Sequence, residues 1–561
     1  MTTKEQIEKL GDENDTKHLE SAVFDTKAGQ VALKSETDSL GAWATVKKFR
    51  KVGCSSLQPP VYCRCRRWIP DQPQWYARAL STVEGPHGLI FTQGNIIANE
   101  GFIDHVGFVN DSGEIHLKAN YTALWGAMQS LGQLVGMILM NPISDIIGRK
   151  MTMYALWIVL AASLILETVV RDWRDWAGAK ILAGIGIGAI QATLPIYITE
   201  WSPVNIRGAM IVTYGFWNVI GKFLANLVLM LIQETNPKNY KVPILTQWGF
   251  LGIMLPIFLW LPETPAYYAE RDMDDEGKKT LERINGNVEA YDVELEYSII
   301  KNTILEEKQL QRELEQDNMT FKDLIWSYVE CFQRANIRRT FGAALPACAQ
   351  QLAGLSFLNT YASLFFKQSG FNNAFLITTI MCCIQLFAAI CLIFMTDRFG
   401  RRNMVFTAVI VCTGTLLVVG ALAFVDKTKP VQNLLIFVAC VWAFANAAIG
   451  NLGFAFFGEV ASQRLRARTA GIASGLSVVF GLTFNTSLPI ILDVDGVNWG
   501  YKTAWLFFGT GVVVCILLYF FLPECSRRNA AEVDEMYAKG VPAWKMGKYV
   551  TEIQTLHQVS H

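Results

Sequence analysis

Long apolar runs constrain this chain more than any other feature. They recur near residues 121–143, 151–170, 178–199, 208–232 and 244–262. After a charged stretch at roughly 263–339 they resume near 341–366, 373–396, 403–424, 432–457, 469–492 and 502–522. A helix needs about 20 apolar residues to cross a bilayer, and each run comes near that length. Five crossings, a gap and six crossings predict an all-α membrane protein. Composition agrees: 52% of the 561 residues are hydrophobic and 17% charged, too little charge to cover a soluble chain of this size. Lys plus Arg and Asp plus Glu are both 49, so the balance carries no nucleic-acid signal.

The basic residues inform by position. Arg149 and Lys150 follow the first run, Arg207 the third, Arg398, Arg401 and Arg402 the seventh, and Arg464, Arg466 and Arg468 the ninth. These connections are separated by even numbers of crossings and share one side, which the positive-inside rule makes cytosolic. The N-terminal stretch "MTTKEQIEKLGDENDTKHLE" is polar, lacks the apolar core of a signal peptide, and reads as a disordered cytosolic tail over 1–50. Most cysteines fall in apolar runs, where Cys acts as a small hydrophobe rather than part of a disulfide framework.

The chain also repeats itself. "DIIGRK" from Asp145 answers "DRFGRR" from Asp397; "EWSPVNIRG" from Glu200 answers "EVASQRLRA" from Glu459; "LPETP" from Leu261 answers "LPEC" from Leu522. Three motifs in one order, half a chain apart, predict two parallel homologous halves. In each, a Glu precedes an Arg by seven residues. Asp145, Arg149, Glu200 and Arg207 are expected to form one gating cluster, and Asp397, Arg401, Glu459 and Arg466 its counterpart. Ion pairs at a water-facing rim are individually weak, which suits a latch broken in every cycle. A single Arg-rich loop would read as a topological anchor; the duplicated set reads as a gate. Gly148 and Gly400 permit the tight turns beside these charges.

Within the runs, "GIGIGAIQATLP" from Gly184 places glycines on a helix, where the main use is close packing. "QQLAGLSFLNTY" carries Gln350, Gln351 and Asn359 in an apolar span. Buried amides need partners, and two uses are open: bonds between helices, or a polyhydroxylated ligand, since an amide both donates and accepts. Gln385 is a further candidate. Trp217 and Phe454 could stack on a sugar ring or merely pack.

These motifs together resemble the sugar-porter branch of the major facilitator superfamily over roughly residues 94–525. Within it, "GNIIANEGF", "RDWRDWAGAKILAGIGIGAIQATLPIYITEWSPVNIRG" and "YGFWNVIGKF" are similar to fungal α-glucoside (maltose-type) proton symporters. The resemblance implies twelve helices in two six-helix bundles, a central sugar site holding Gln350 and Gln351, and a proton as coupling ion with no other cofactor. Ser356 stands where many members have Asn, Phe454 where many have Trp, and Gly215 replaces a polar residue of hexose carriers. These departures argue against a plain glucose carrier and leave room for a larger or different glycoside.

One stretch resists this scheme. The first helix should precede "GNIIANEGF", but "CSSLQPPVYCRCRRWIPDQPQW" from Cys54 holds Arg64, Arg66, Arg67, Pro59, Pro60, Pro70 and Pro73. Such arginines are expensive in lipid and such prolines break helices. A one-base forward shift in reading frame turns each tryptophan codon here into a glycine codon. It permits D-G-Y-Q-I-N-L-N-G across residues 67–76, similar to the family's first-helix motif. The stretch thus reads as a misread gene segment, with a retained intron near 76–93; the rival is a real, divergent hook. A metal site from Cys54, Cys63, Cys65 and His87 fits no usual zinc spacing. As written, the chain lacks the carboxylate that family members carry in the first helix, and Glu84 has no matching context.

The expected organisation is a tail at 1–50, an N-terminal bundle at 51–262 with an aberrant first-helix region at 51–93, a cytosolic helical loop at 263–339, a C-terminal bundle at 340–523, and a cytosolic tail at 524–561. The expected protein is a monomeric plasma-membrane symporter with both termini cytosolic, whose partners are a small sugar and the lipid bilayer. The alternatives are a non-transporting sugar sensor and an inert product of the disrupted first helix. No nucleophile–base pairing or metal-ligand spacing supports enzymatic catalysis.

Overall fold

A computed structural model describes residues 93–551 except 110–114, 202–206, 286–291, 316–328, 334–335, 372, 427, 454–455, 457–459, 461–465, 494–496, 525–529 and 548. The 53–92 region, with its frame-shift reading, lies outside the described residues.

The description opens on two short helices, α1 (Gln93–Ile96) and α2 (Glu100–Val106), and a two-stranded hairpin, β1 (Phe108–Val109) with β2 (Ile115–His116). Asn99 caps α2, its side chain accepting from the Phe102 amide. Five long helices follow: α3 (Ala119–Ile147), α4 (Arg149–Thr168), α5 (Trp173–Trp201), α6 (Arg207–Thr235) and α7 (Lys241–Trp260). The charged stretch forms α8 (Pro265–Glu270), α9 (Asp274–Asn285) and α10 (Val293–Glu315). These pack around Ala269, Leu281, Tyr297 and Ile304, with Asp274 joined to Lys301 and Tyr297.

The second half begins with α11 (Ile337–Leu352) and α12 (Ala362–Gln368), then α13 (Ala374–Phe399), α14 (Arg401–Ala421), α15 (Lys429–Gly453), α16 (Arg466–Leu492) and α17 (Thr503–Phe521). The run near 341–366 was expected as one span and is not one. Gly354 sits at φ 90°, and Ser356–Thr360 winds into a π turn between α11 and α12. The break falls inside "QQLAGLSFLNTY", and π turns are frequent at functional sites. After α17, the short helices α18 (Ala530–Ala538) and α19 (Ala543–Met546) place Val533, Met536 and Met546 in the core of the C-terminal half.

Ten described helices are long and apolar enough to cross a membrane. Their packing repeats in order. The halves meet along two seams, α3 against α16 and α6 against α13. Counting a first crossing ahead of the described residues, these are the second helix of one half on the fifth of the other, and the reverse. That is the pattern of an axis along the membrane normal.

Glycine decides how close α3 and α5 come. A Cβ on Gly184 or Gly188 would lie 2.2 or 2.1 Å from the backbone oxygen of Gln129 or Gln133, and one on Gly132 or Gly136 would lie 2.3 Å from that of Ile181 or Ile185. Two i,i+4 glycine pairs thus face each other and the backbones touch, the packing use expected of this motif.

Candidate functional site

The duplicated motifs build the same joint twice. Gly148 (φ 95°) and Gly400 (φ 79°) end α3 and α13 and start α4 and α14. The first amides of α4 have no helical acceptor, and Glu263 supplies one: the Arg149 and Lys150 amides donate to its two oxygens at 3.1 and 3.0 Å. In the second half the Arg401 and Arg402 amides donate to Glu524 at 3.2 and 3.3 Å. A Cβ on Gly148 or Gly400 would sit 2.5 or 2.6 Å from these carboxylates. So "GR" and "PE" recur together because each carboxylate caps a helix from the end of the last helix of its half. The sequence exposed the Pro-Glu motif, but its partner appears only in three dimensions.

On the N-terminal half, Arg149 Nη2 donates to Glu200 at 3.1 Å, and Nη1 lies 4.0 Å from Glu270, which sequence reasoning had not included. The expectation of exposed rim pairs needs correction: Arg149 is 5% exposed. Burial pushes the Glu200 carboxyl up against the opposing pull of Arg149. A buried pair is costly to break on one side only, so this latch is stiffer than a rim pair. The side chains of Asp145, Arg207, Asp397 and Arg466, and all of Glu459 and Phe454, lie outside the described residues.

The expected ligand residues partly converge. Gln350 on α11 lies against Gly450 of α15, where a Cβ would come 2.2 Å from its Nε2. Gln351 faces Gly481 of α16, at 3.4 Å by the same measure. Asn451 of α15 fills the space beside Gly215 of α6, its Oδ1 2.1 Å from where a Cβ would be. The room expected from that glycine is therefore taken by an amide from the other half. Asn359 sits half-buried in the π turn, and Gln385 is buried on α13. Trp217 lies about 200° around α6 from Gly215, away from the face that meets Asn451.

Residues passed over by sequence reasoning complete the site. Asn446 on α15 is 1% exposed, and neither its Nδ2 nor its Oδ1 has a partner among the described residues; Asn451 Nδ2 is in the same position. Such buried amides are costly in a resting fold and mark where a ligand would bond. An Asn inside an apolar run was the available signal. One turn beyond Gly481, Asn485 accepts from Ser356 at 2.8 Å and donates to Ser130 of the other half at 3.1 Å. Gln129, Ser130 and Gln133 of α3, Lys180 of α5, and Tyr361 and Asn485 line a cleft between the halves. Lys180 bonds Glu167 at 3.1 Å and lies 3.9 Å over the Trp176 ring. Both charges are inside spans and buried, a placement that is expensive and usually functional.

Residues 89–537 match the profile of the sugar (and other) transporter family. The chain belongs to that family. It is 25% identical over 448 residues to the major facilitator-type transporter ecdD of Aspergillus rugulosus, covering 77% of this chain and 80% of that protein. It is 22% identical over 476 residues to the low-affinity glucose transporter HXT3 of Saccharomyces cerevisiae, covering 82% and 81%. The partially occluded inward-open structure of the xylose transporter XylE from E. coli superposes with a TM-score of 0.63 at 18% identity, covering 81% of this chain and all of that one. The fold is thus the two-bundle major facilitator fold, and the protein is a multi-pass membrane transporter of the sugar-porter family rather than an enzyme.

Proposed function

We propose that this chain carries an α-glucoside together with a proton across the plasma membrane by alternating access, with both termini in the cytosol. The observation that carries the reading is a pair of polar groups, one inside the C-terminal half and one in the cleft between the halves. Gln350, Gln351 and Asn446 form one group; Gln129, Gln133 and Asn485 form another. Gly481 and Asn485, four residues apart on α16, separate the two by about 6 Å. Two amide-rich patches suit a two-ring ligand. The seams between the bundles supply the rocking surfaces and the buried Arg149 cluster the latch.

Proton coupling needs a titratable group in the membrane. Among the described residues the one carboxylate buried within a span is Glu167, held by Lys180. We assign it the part that the family's first-helix carboxylate plays.

A second reading, a monosaccharide substrate, is favoured by Asn451, which occupies the space beside Gly215. Uptake of labelled maltose and labelled glucose in cells lacking their own carriers separates the two. Maltose uptake that alkalinises the medium supports the first reading. Glucose uptake that excess maltose does not inhibit supports the second, and no uptake of either sinks both. Gln351→Ala should lose uptake while reaching the cell surface.

A further inference from the structure

Residues 539–550, "KGVPAWKMGKYV", hold three lysines and no carboxylate. Helix α19 buries Ala543 and Met546 against the C-terminal half and turns Trp544 outward, 42% exposed. Trp544 lies parallel to Tyr519, with ring centroids 6.1 Å apart, and meets Phe520 edge-on at 5.7 Å. Both rings stand on the exposed side of α17, the last span, in its final turn. The aromatic patch is therefore continuous with the lipid-facing surface at the point where that span leaves the hydrocarbon. Amphipathic rings settle at this level, among the headgroups.

Cations flank the patch. Lys545 is exposed next to Trp544, and the Arg402 guanidinium donates to the Tyr519 carbonyl at 3.0 Å. Glu535 pairs with Lys539 at 2.7 Å, and Glu524 accepts from the α14 amides. We propose that helix α19, with Trp544 and Lys545, forms an interfacial binding site for anionic phospholipid headgroups, with Trp544 seated at headgroup depth and Lys545 facing the phosphates. The site lies on the side of the arginine-bearing turns, because Glu524, just past α17, reaches the start of α14. Charge complementarity and continuity with the lipid-facing span both select a lipid surface as the occupant.

The test is amide hydrogen exchange of the full chain, one copy per nanodisc, in phosphatidylcholine alone and in phosphatidylcholine mixed with phosphatidylserine. Phosphatidylserine should slow exchange of the Lys545 and Tyr549 amides, which close the local turns. Lys545→Ala should forfeit about fivefold of that protection, and high salt should remove most of it. Trp544→Ala should lower protection in both lipids. Equal protection in both lipids, unchanged by Lys545→Ala, would mean that the C-terminal half alone holds the segment and would overturn the proposal. Protection that appears in detergent and rises with protein concentration would assign the surface to a second copy and overturn it equally.

Discussion

Replacing Glu263 by Gln tests the duplicated joint. The carboxylate accepts two backbone amides at the start of α4, from Arg149 and Lys150, and its residue is 8% exposed. Glutamine keeps one oxygen and presents an NH2 group to the other amide. One charge-assisted bond is lost, worth about 1.5–3 kcal/mol. The favourable meeting of a negative charge with the helix N-terminus goes too, worth about 0.3–1 kcal/mol. The expected loss is about 2–4 kcal/mol, which for a unit of this size lowers Tm by roughly 5–10 °C. Thermal unfolding of purified protein in detergent reads it, with transport measured in proteoliposomes. Glu524→Gln should give a similar shift, because it makes the same two contacts in the other half. A shift under about 1 °C for both variants would refute the capping argument.

Three further outcomes follow from other contacts. Asn446→Leu removes an amide with no partner among the described residues, so Tm should hold or rise while sugar uptake falls at least tenfold; lost stability with normal uptake would contradict the ligand role. Glu167→Gln removes the negative charge opposite buried Lys180 and should cost about 3–5 kcal/mol, whereas Glu167→Leu combined with Lys180→Met should cost less and should uncouple any remaining uptake from protons. Glu200 has its carboxyl raised mainly by burial, so its contribution to stability is complete below the unfolded value near 4.5 and is lost as pH rises through the folded one. Thermal stability of the native chain should therefore decline across that window, and Glu200→Gln should flatten the profile.

The paired Gly-Arg and Pro-Glu motifs were legible as repeats because a duplicated half copies its turns and caps together. Their partnership was not, since Glu263 reaches Arg149 across 114 residues. Gln350 and Gln351 stood out as amides in an apolar run. Asn446, Asn485 and Lys180 are polar residues in apolar runs too and were passed over; that Asn446 is buried with no partner among the described residues, while Asn485 is bonded to Ser356 and Ser130 and Lys180 to Glu167, depends on neighbouring helices and cannot be read along the chain. Gly215 shows the limit most clearly. Its missing side chain read as room, yet Asn451 of the opposite half fills that room.

Sequence by itself determined the membrane environment, the helical class, the two halves and the charged turns, because these follow from run length, charge placement and repetition along the chain. Tertiary structure alone decided that the sixth run breaks at Gly354, that Arg149 is buried rather than exposed at a rim, and which polar groups face one another across the seams. Those facts depend on what a neighbouring helix brings to the same place, and lipid-facing and protein-facing apolar residues look alike until the helices are packed.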